Sequence, residues 1–526
     1  MSDRTRQRKG HHASIAGDPA DETLRDLVAQ FSDRYAFVRE LIQNSLDAGA
    51  ARIELEQSYA DGELQIAVID DGEGMDRPTI EGYLLTLFRS TKERDKTKIG
   101  KFGIGFVSLF AMGPHQVVVE TGRDLTAHRV TFDADQNWVL EELDDWVEGT
   151  TVRLHLRCGA DDAVRISERV VAAVQRWCRF ARATLVHRRR GMSTAHGDEV
   201  IEGSFSVDAP VTVSFEEDGL RGVLGPSADT SPHATFVSAG LTLWEGGLDV
   251  VPGVTFLVEG RHLGHTLTRD NVRRDRAFDH AVTRVAQVAE AKLWPAVRQA
   301  LAEAAAAGDD AQLARVLGAC SPKIESKLEE GDVPWVPAWP EPVSLRAVRE
   351  AVSPSGWLWW KGDASPLHHS AEGGPHVDAV AAEHLVLRCG REGLLPWWLN
   401  GWMQLQWLDV SRYTWVRVVP THEGEEALLQ RASSLMGRRL RMGELTGGRA
   451  EALCCPAGAD GGLVLADWID PVASEVVVRR AHPLWGKLLE LPVELGASLL
   501  AHALSADLGS DEPVPTELVV AAMGAS

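Results

Sequence analysis

The stretch Arg39-Glu40-Leu41-Ile42-Gln43-Asn44-Ser45-Leu46-Asp47-Ala48 decides how the chain is read. On a helix, Glu40, Asn44 and Asp47 stand at i, i+4 and i+7 and share one face, while Val38, Ile42 and Leu46 form an opposite apolar stripe. Taken alone, such a polar face equally suits a solvated surface. A second signal is Leu64-Gln65-Ile66-Ala67-Val68-Ile69, an apolar run that predicts a buried strand and ends in Asp70-Asp71-Gly72-Glu73-Gly74-Met75. A carboxylate is thereby set at a strand end. The third is Ile99-Gly100-Lys101-Phe102-Gly103-Ile104-Gly105-Phe106, which follows a basic stretch and leads into an apolar helical run through Phe110. Glycines there allow backbone N–H groups to approach phosphates at a helix start. The spacing Gly100-x-x-Gly103-x-Gly105 alone also fits a dinucleotide loop. The order of all three motifs is far more specific.

Composition bounds the rest. A chain of 526 residues implies several domains, because single cores stop growing at roughly 250–300 residues. The formal charge of −22 argues against a surface built chiefly to neutralise nucleic-acid phosphates, while leaving room for a local basic groove. The cysteines, Cys158, Cys178, Cys320, Cys389, Cys454 and Cys455, have no CxxC spacing and read as reduced and structural. No apolar run approaches the ~20 residues that span a bilayer, and the N-terminus lacks a signal-peptide core, so the expected location is cytoplasmic with no membrane partner.

With Gly149-Thr150-Thr151-Val152 added, the three motifs resemble the ATP-binding boxes of the GHKL ATPase superfamily, which unites gyrase, heat-shock chaperones, histidine kinases and MutL. That resemblance implies an ATPase using ATP and Mg2+, with an N-terminal α/β sandwich of the Bergerat type. It makes Glu40 the general base that activates water, Asn44 the magnesium ligand, and Asp70 the acceptor for the adenine amino group. Asp47, Gly74, Met75 and Thr150 would complete the nucleotide site, and Gly100, Lys101, Phe102, Gly103, Ile104, Gly105 and Phe106 would carry the phosphates. The segment between Met75 and Ile99 is the implied lid, with Ser90 and Lys92 toward the nucleotide; it equally suits a solvated loop. Singly, Asp70 is also compatible with a strand-end cap and Thr150 with an ordinary turn.

Further along, a helix is expected over Ala163 to Arg182, strands over Ser204 to Phe215 and Ala234 to Val258, and a long helix after Asn271 toward Leu301. The turn Thr266-Leu267-Thr268-Arg269-Asp270-Asn271 resembles the loop that, in the ninety-kilodalton heat-shock chaperone family, offers an arginine to the terminal phosphate; Arg269 matches it, although on this turn alone it equally solvates a helix start. Ser344-Leu345, Gly356 to Trp360, Pro375-His376 and Leu385 to Leu387 follow the pattern of that family's small subdomain, with Gly374 where the family has serine. Glu475 to Val478, His482-Pro483 and Leu499-Leu500 follow its C-terminal domain. The resulting expectation is an α/β multidomain protein: a disordered tail at 1–20, an ATP-binding domain at 21–160, a middle α/β domain at 161–335, a small αβα subdomain at 336–415, and an α+β dimerisation domain at 416–526.

The implied function is an ATP-dependent chaperone of that family, a homodimeric clamp acting on client polypeptides. The competing reading is a nucleic-acid-directed ATP clamp similar to MutL or microrchidia ATPases, or a prokaryotic defence component with the same module. The acidic balance and the absence of a basic stripe weigh against nucleic acid as partner. A scaffold that binds ATP without hydrolysis is disfavoured by the presence of Glu40.

Overall fold

The computed structural model describes residues 33–85, 103–191, 198–266, 271–352, 356–362, 374–389, 394–447, 452–456, 463–465 and 473–509. It is a multidomain α/β protein with two compact units, one reaching Glu290 except for Pro226–Asp229, the other made of those residues and Ala291 onward.

The first unit begins with helix α1, Phe37–Asp47. Its end follows from sequence: Gly49 takes a left-handed φ of 76°, and the N–H groups of Gly49 and Ala50 donate to the carbonyls of Leu46 and Ser45 at 3.0 Å each. Carbonyls that the last turn leaves free are thereby satisfied. Its buried residues are Phe37, Val38, Arg39, Glu40, Leu41, Ile42 and Ser45, whereas Leu46 is only partly buried. The expected Val38-Ile42-Leu46 stripe is therefore rotated toward Phe37 and Leu41, and each fully buried aliphatic side chain contributes about 1.5–3 kcal/mol.

Strands β1 (Arg52–Ala60) and β2 (Glu63–Asp70) form a hairpin, with Asp61 and Gly62 at φ 51° and 80° in its turn. A short helix α2 (Gly103–Val107) precedes β3 (Gln116–Arg123), β4 (Thr126–Asp133), β5 (Trp138–Leu143) and β6 (Thr150–Arg157). Helix α3 (Ala160–Cys178), β7 (Thr184–Arg190) and β8 (Glu199–Ile201) follow. The eight strands make one sheet in the order β5-β4-β3-β6-β2-β1-β7-β8, mixed because β1 and β7 run parallel. Helices α1 and α3 pack together over one face. Alternation turns Leu64, Ile66 and Val68 of β2, Val117 and Val119 of β3, and Val152, Leu154 and Leu156 of β6 into that shared core.

A second sheet in the same unit contains β9 (Val213–Glu217), β10 (Leu220–Pro226), β11 (His233–Ser238), β12 (Leu241–Gly247) and β13 (Val254–Gly260), ordered β12-β11-β13-β10-β9. Of the strands expected over Ser204 to Phe215, only the part from Val213 pairs. Pro210 has no N–H for a ladder and interrupts the run. Helix α4 (Arg276–Val288) is capped by Asp275, which accepts from the N–H groups of Ala277 and Phe278. Phe278 packs on Phe236 of β11 with ring centroids 5.0 Å apart.

Within the second unit, Ala338–Trp339, Val386–Cys389, Trp357–Gly362 and Gln406–Asp409 form a four-stranded sheet in that order. The Ser344 hydroxyl caps the helix Leu345–Ala351 by accepting from Ala347 N–H at 3.2 Å. A five-stranded sheet runs Cys454–Pro456, Glu475–Arg479, Arg439–Gly447, Tyr413–Val418, Leu463–Leu465. The helical stretch expected beyond His482 is two helices, Pro483–Leu489 and Val493–Asp507. Pro492, at the N-cap of the second, marks the break, and the His482 ring accepts from Leu484 N–H at 3.2 Å as the N-cap of the first. Trp335, Trp398 and Trp485 are buried, whereas Trp397 is 61% exposed.

Candidate functional site

The alternation that buries Leu64, Ile66 and Val68 carries Asp70 onto the same helix-covered face. There its carboxylate accepts from the Ser45 hydroxyl at 2.7 Å, from Gly72 N–H at 3.0 Å and from Thr150 N–H at 3.1 Å. Burial pushes the Asp70 carboxyl above the usual carboxylate range, and these three donors oppose that shift. Asp71, one residue on, faces elsewhere: its carboxylate accepts from the N–H groups of Ala51 and Arg52, both at 2.8 Å, and so ties the α1–β1 turn to the end of β2.

Register aligns Asp70 of β2 with Thr150 of β6, and Thr150 with Thr121 of β3. The Thr121 hydroxyl accepts from Met75 N–H at 2.8 Å and lies 3.0 Å from the Thr150 hydroxyl. Gly74 adopts φ 66°, and a Cβ there would meet the Gly122 carbonyl oxygen at 2.1 Å, so only glycine lets the Asp70–Met75 turn lie this close to β3. A pocket of about 420 Å³ opens beside this turn. Asp70, Gly74, Met75 and Thr150 line it together with Asn44, Asp47 and Phe106, and Phe106 is itself buried against Phe132 at 5.8 Å between centroids. Burial also raises the Asp47 carboxyl. At the wall, the Arg123 guanidinium pairs with Glu73 at 3.3 Å.

Glu40 belongs to the adjacent face of α1 and is 4% exposed. Helix α2 covers it: a Cβ on Gly105 would fall 2.3 Å from Glu40 Oε2. The third motif therefore presents bare backbone to the first. Glu40, Asn44 and Asp47 also line a second cavity, of about 430 Å³, whose other wall comes from β12 and the turn after β13. Asn44 and Asp47 form the edge common to both cavities.

Gly103 and Ile104 lie in the backbone of α2. Ser90, Lys92, Gly100, Lys101, Phe102 and Arg269 lie outside the described residues, as does the tail at 1–20. Ser45, Thr121 and Arg123 join the site in the structure. Thr121 was accessible through the alternation Val117-Val119-Thr121, whereas the contact of Ser45 with Asp70 depends on how α1 crosses the sheet.

Magnesium suits the donor set at the shared edge. The ion keeps several waters and is held by one or two protein groups plus substrate phosphates, which is what a single exposed amide such as Asn44 offers. Among the described residues no group of three or more His, Cys, Asp or Glu side chains is arranged to hold a metal by itself.

The site thus combines a carboxylate at a strand end facing a pocket with a second carboxylate on the neighbouring helix, beneath a glycine-started helix. Residues 35–154 match the family described as "Histidine kinase-, DNA gyrase B-, and HSP90-like ATPase". Among curated relatives, the chain is similar to the chaperone protein HtpG of Burkholderia cenocepacia (strain HI2424), 29% identical over 196 residues covering 34% of this chain and 31% of the relative. It is similar also to the HtpG chaperones of Paraburkholderia xenovorans (strain LB400), 32% identical over 171 residues covering 29% and 27%, and of Aromatoleum aromaticum, 28% identical over 166 residues covering 25% and 26%. The chain thus spans about a third or less of the length of the curated relatives it matches. No helix among the described residues is long and apolar enough to cross a membrane.

Proposed function

We propose that the protein hydrolyses ATP and uses the cycle as a chaperone clamp of the ninety-kilodalton heat-shock type, working as a homodimer on client polypeptides. The observation that carries this reading is the pair of cavities meeting at Asn44 and Asp47, with Asp70 in one and Glu40 in the other. A nucleotide with its exocyclic amine at Asp70 carries its phosphates past Asn44 toward Glu40. The partial similarity to HtpG chaperones supports the choice of chaperone over other users of the module.

In this mechanism Asp70 accepts from the adenine amino group, and Thr150 and Thr121 hold that carboxylate and the Met75 turn in place. Glu40 orients a water and takes its proton as the water attacks the terminal phosphate. Asn44 would hold magnesium, which would offset phosphate charge. By the sequence resemblance alone, Gly100 to Gly105 would supply backbone donors to the phosphates, Ser90 and Lys92 would belong to the nucleotide site, and Arg269 would be the arginine for the terminal phosphate.

Gly105→Ala tests the contact between α2 and Glu40. The added methyl forces the carboxylate to shift, and displacement of a reacting group by about 1 Å costs roughly 10²-fold in rate. Phosphate release is expected to fall by about that factor with ADP affinity retained; unchanged turnover would mean that Glu40 yields at no catalytic cost and would remove the contact from the mechanism.

The function itself is tested by steady-state ATP turnover of the purified protein, alone, with a partly unfolded protein, and with DNA. Stimulation by unfolded protein and not by DNA is expected. Stimulation by DNA alone would move the protein among nucleic-acid-directed clamps.

A further inference from the structure

Glu40 lies in the first turn of α1, and that turn starts without a side-chain cap: Ala36 stands at the N-cap and offers no side-chain hydrogen bond. The turn is closed by backbone bonds, Val38 N–H donating to the Tyr35 carbonyl at 3.4 Å and Arg39 N–H to the Ala36 carbonyl at 3.1 Å. Its rotation is therefore set by neighbouring elements, and α1 packs against both α2 and α3. Successive residues of a helix point about 100° apart, so Arg39 and Glu40 meet different neighbours. Glu40 lies beneath Gly105 of α2. The Arg39 guanidinium lies over the Trp177 ring of α3, 5.4 Å from its centroid.

Arg39 is 3% exposed, and burial pushes its guanidinium below the usual arginine value. Burying a cation is costly, and an aromatic face offsets part of that cost. Trp177 is held in turn. Arg176 stacks on the same ring at 4.5 Å and pairs with Glu245 of β12 at 3.3 Å. Glu245 also pairs with Arg179 at 2.7 Å. The ring is thus shared by a cation of α1 and a cation tied to the second sheet. Among the described residues Trp177 is the ring that meets two cations, and one of them is joined to Glu40 by a single peptide bond.

We infer that Trp177 is a positioning residue for the Glu40 base: by holding the Arg39 guanidinium on its ring it fixes the first turn of α1, and with it the carboxylate beneath α2. The inference rests on the ATPase reading above and adds to it a residue that lines neither the 420 Å³ pocket nor the 430 Å³ cavity. The coupling is mechanical. Without the ring, Arg39 leaves the interface of α1 with α3 for water, and the turn that carries Glu40 loses the contact that set its rotation. The base pocket stands apart from this contact, because Asp70, Gly74, Met75 and Thr150 belong to other elements. A reacting group misplaced by about 1 Å costs roughly 10²-fold in rate, so the effect of the ring falls on chemistry and not on affinity.

The test uses the full chain with Trp177→Leu, which keeps apolar bulk without an aromatic face, Trp177→Phe, which keeps the face, and Arg39→Met, which removes the cation. kcat and KM for ATP are measured alongside ADP affinity by calorimetry. Trp177→Leu and Arg39→Met are each expected to lower kcat by roughly 10- to 100-fold, with KM and ADP affinity within about twofold of the parent. Trp177→Phe is expected to return kcat to within about threefold of the parent, because the cation still meets a ring. Combined with Arg39→Met, Trp177→Leu is expected to cost little more, since both changes remove one contact. Retained ADP affinity also reports that each variant is folded. An unchanged kcat in Trp177→Leu, a phenylalanine variant no better than the leucine one, or losses that multiply in the double variant would each overturn the assignment. A fall in ADP affinity alongside kcat would make Trp177 a support of the whole domain and overturn it as well. If the parent does not hydrolyse ATP, the ATPase reading fails first and takes this one with it.

Discussion

Exchanging Glu40 for alanine is expected to lower ATP turnover by about 10²–10⁴, the range over which a positioned general base contributes, while ATP binding persists. Binding persists because the base pocket is built by other groups: Asp70, Gly74, Met75 and Thr150 line it, and Glu40 belongs to the neighbouring cavity. Helix α1 also tolerates the exchange. Alanine has the best intrinsic helix propensity, and the apolar residues that anchor the helix, Phe37, Val38, Leu41 and Ile42, are untouched. The exchange removes the carboxylate that lies beneath Gly105 and would orient the water. Single-turnover phosphate release, paired with equilibrium ATP binding, separates the two effects. Turnover within about twofold of the parent would remove Glu40 from the chemistry and require another base.

The parts of the site that could be read from sequence are those in which local pattern and chemistry coincide. Helical spacing sets Glu40, Asn44 and Asp47 on one face and an apolar run sets Asp70 at a strand end, while their roles come from the resemblance carried by the order of the motifs. What escaped reading depends on register and on how elements cross. Asp70 and Asp71 are chemically equivalent in the sequence, yet alternation sends the first to the helix-covered face and leaves the second to bind the N–H groups of Ala51 and Arg52. Leu46 fits an apolar stripe by spacing, but the way α1 lies on α3 and the sheet favours Phe37 and Leu41 over it. Burial of Glu40 is equally non-local, since it arises from a helix that begins more than sixty residues later. In the second sheet the apolar strands β11 to β13 were legible, while the stretch before Val213 has extended-looking residues interrupted by Pro210 and only its last part pairs.

Asp70→Asn carries the other large expected effect, on binding instead of chemistry. In the parent, Asp70 Oδ1 accepts from Gly72 and Thr150 N–H groups, and Oδ2 accepts from the Ser45 hydroxyl. An asparagine retains Oδ1 and both of its backbone partners, and this fixes which end of the amide becomes NH2: it must replace Oδ2. Ser45 can adapt, because its hydroxyl also lies 3.1 Å from the Leu41 carbonyl and can donate there while accepting from the new amide. The fold is therefore expected to survive with little loss of thermal stability. The adenine amino group has no such escape, since it now faces a donor where it had an acceptor. A buried donor left facing another donor costs about 1–3 kcal/mol, in addition to the charge-assisted bond that is lost. Affinity for ATP, ADP and adenosine should accordingly fall together, by about 10²-fold or more, because all three carry the same amino group. A loss confined to ATP would place Asp70 at the phosphates, and an unchanged affinity for all three would mean that the base is read elsewhere in the pocket.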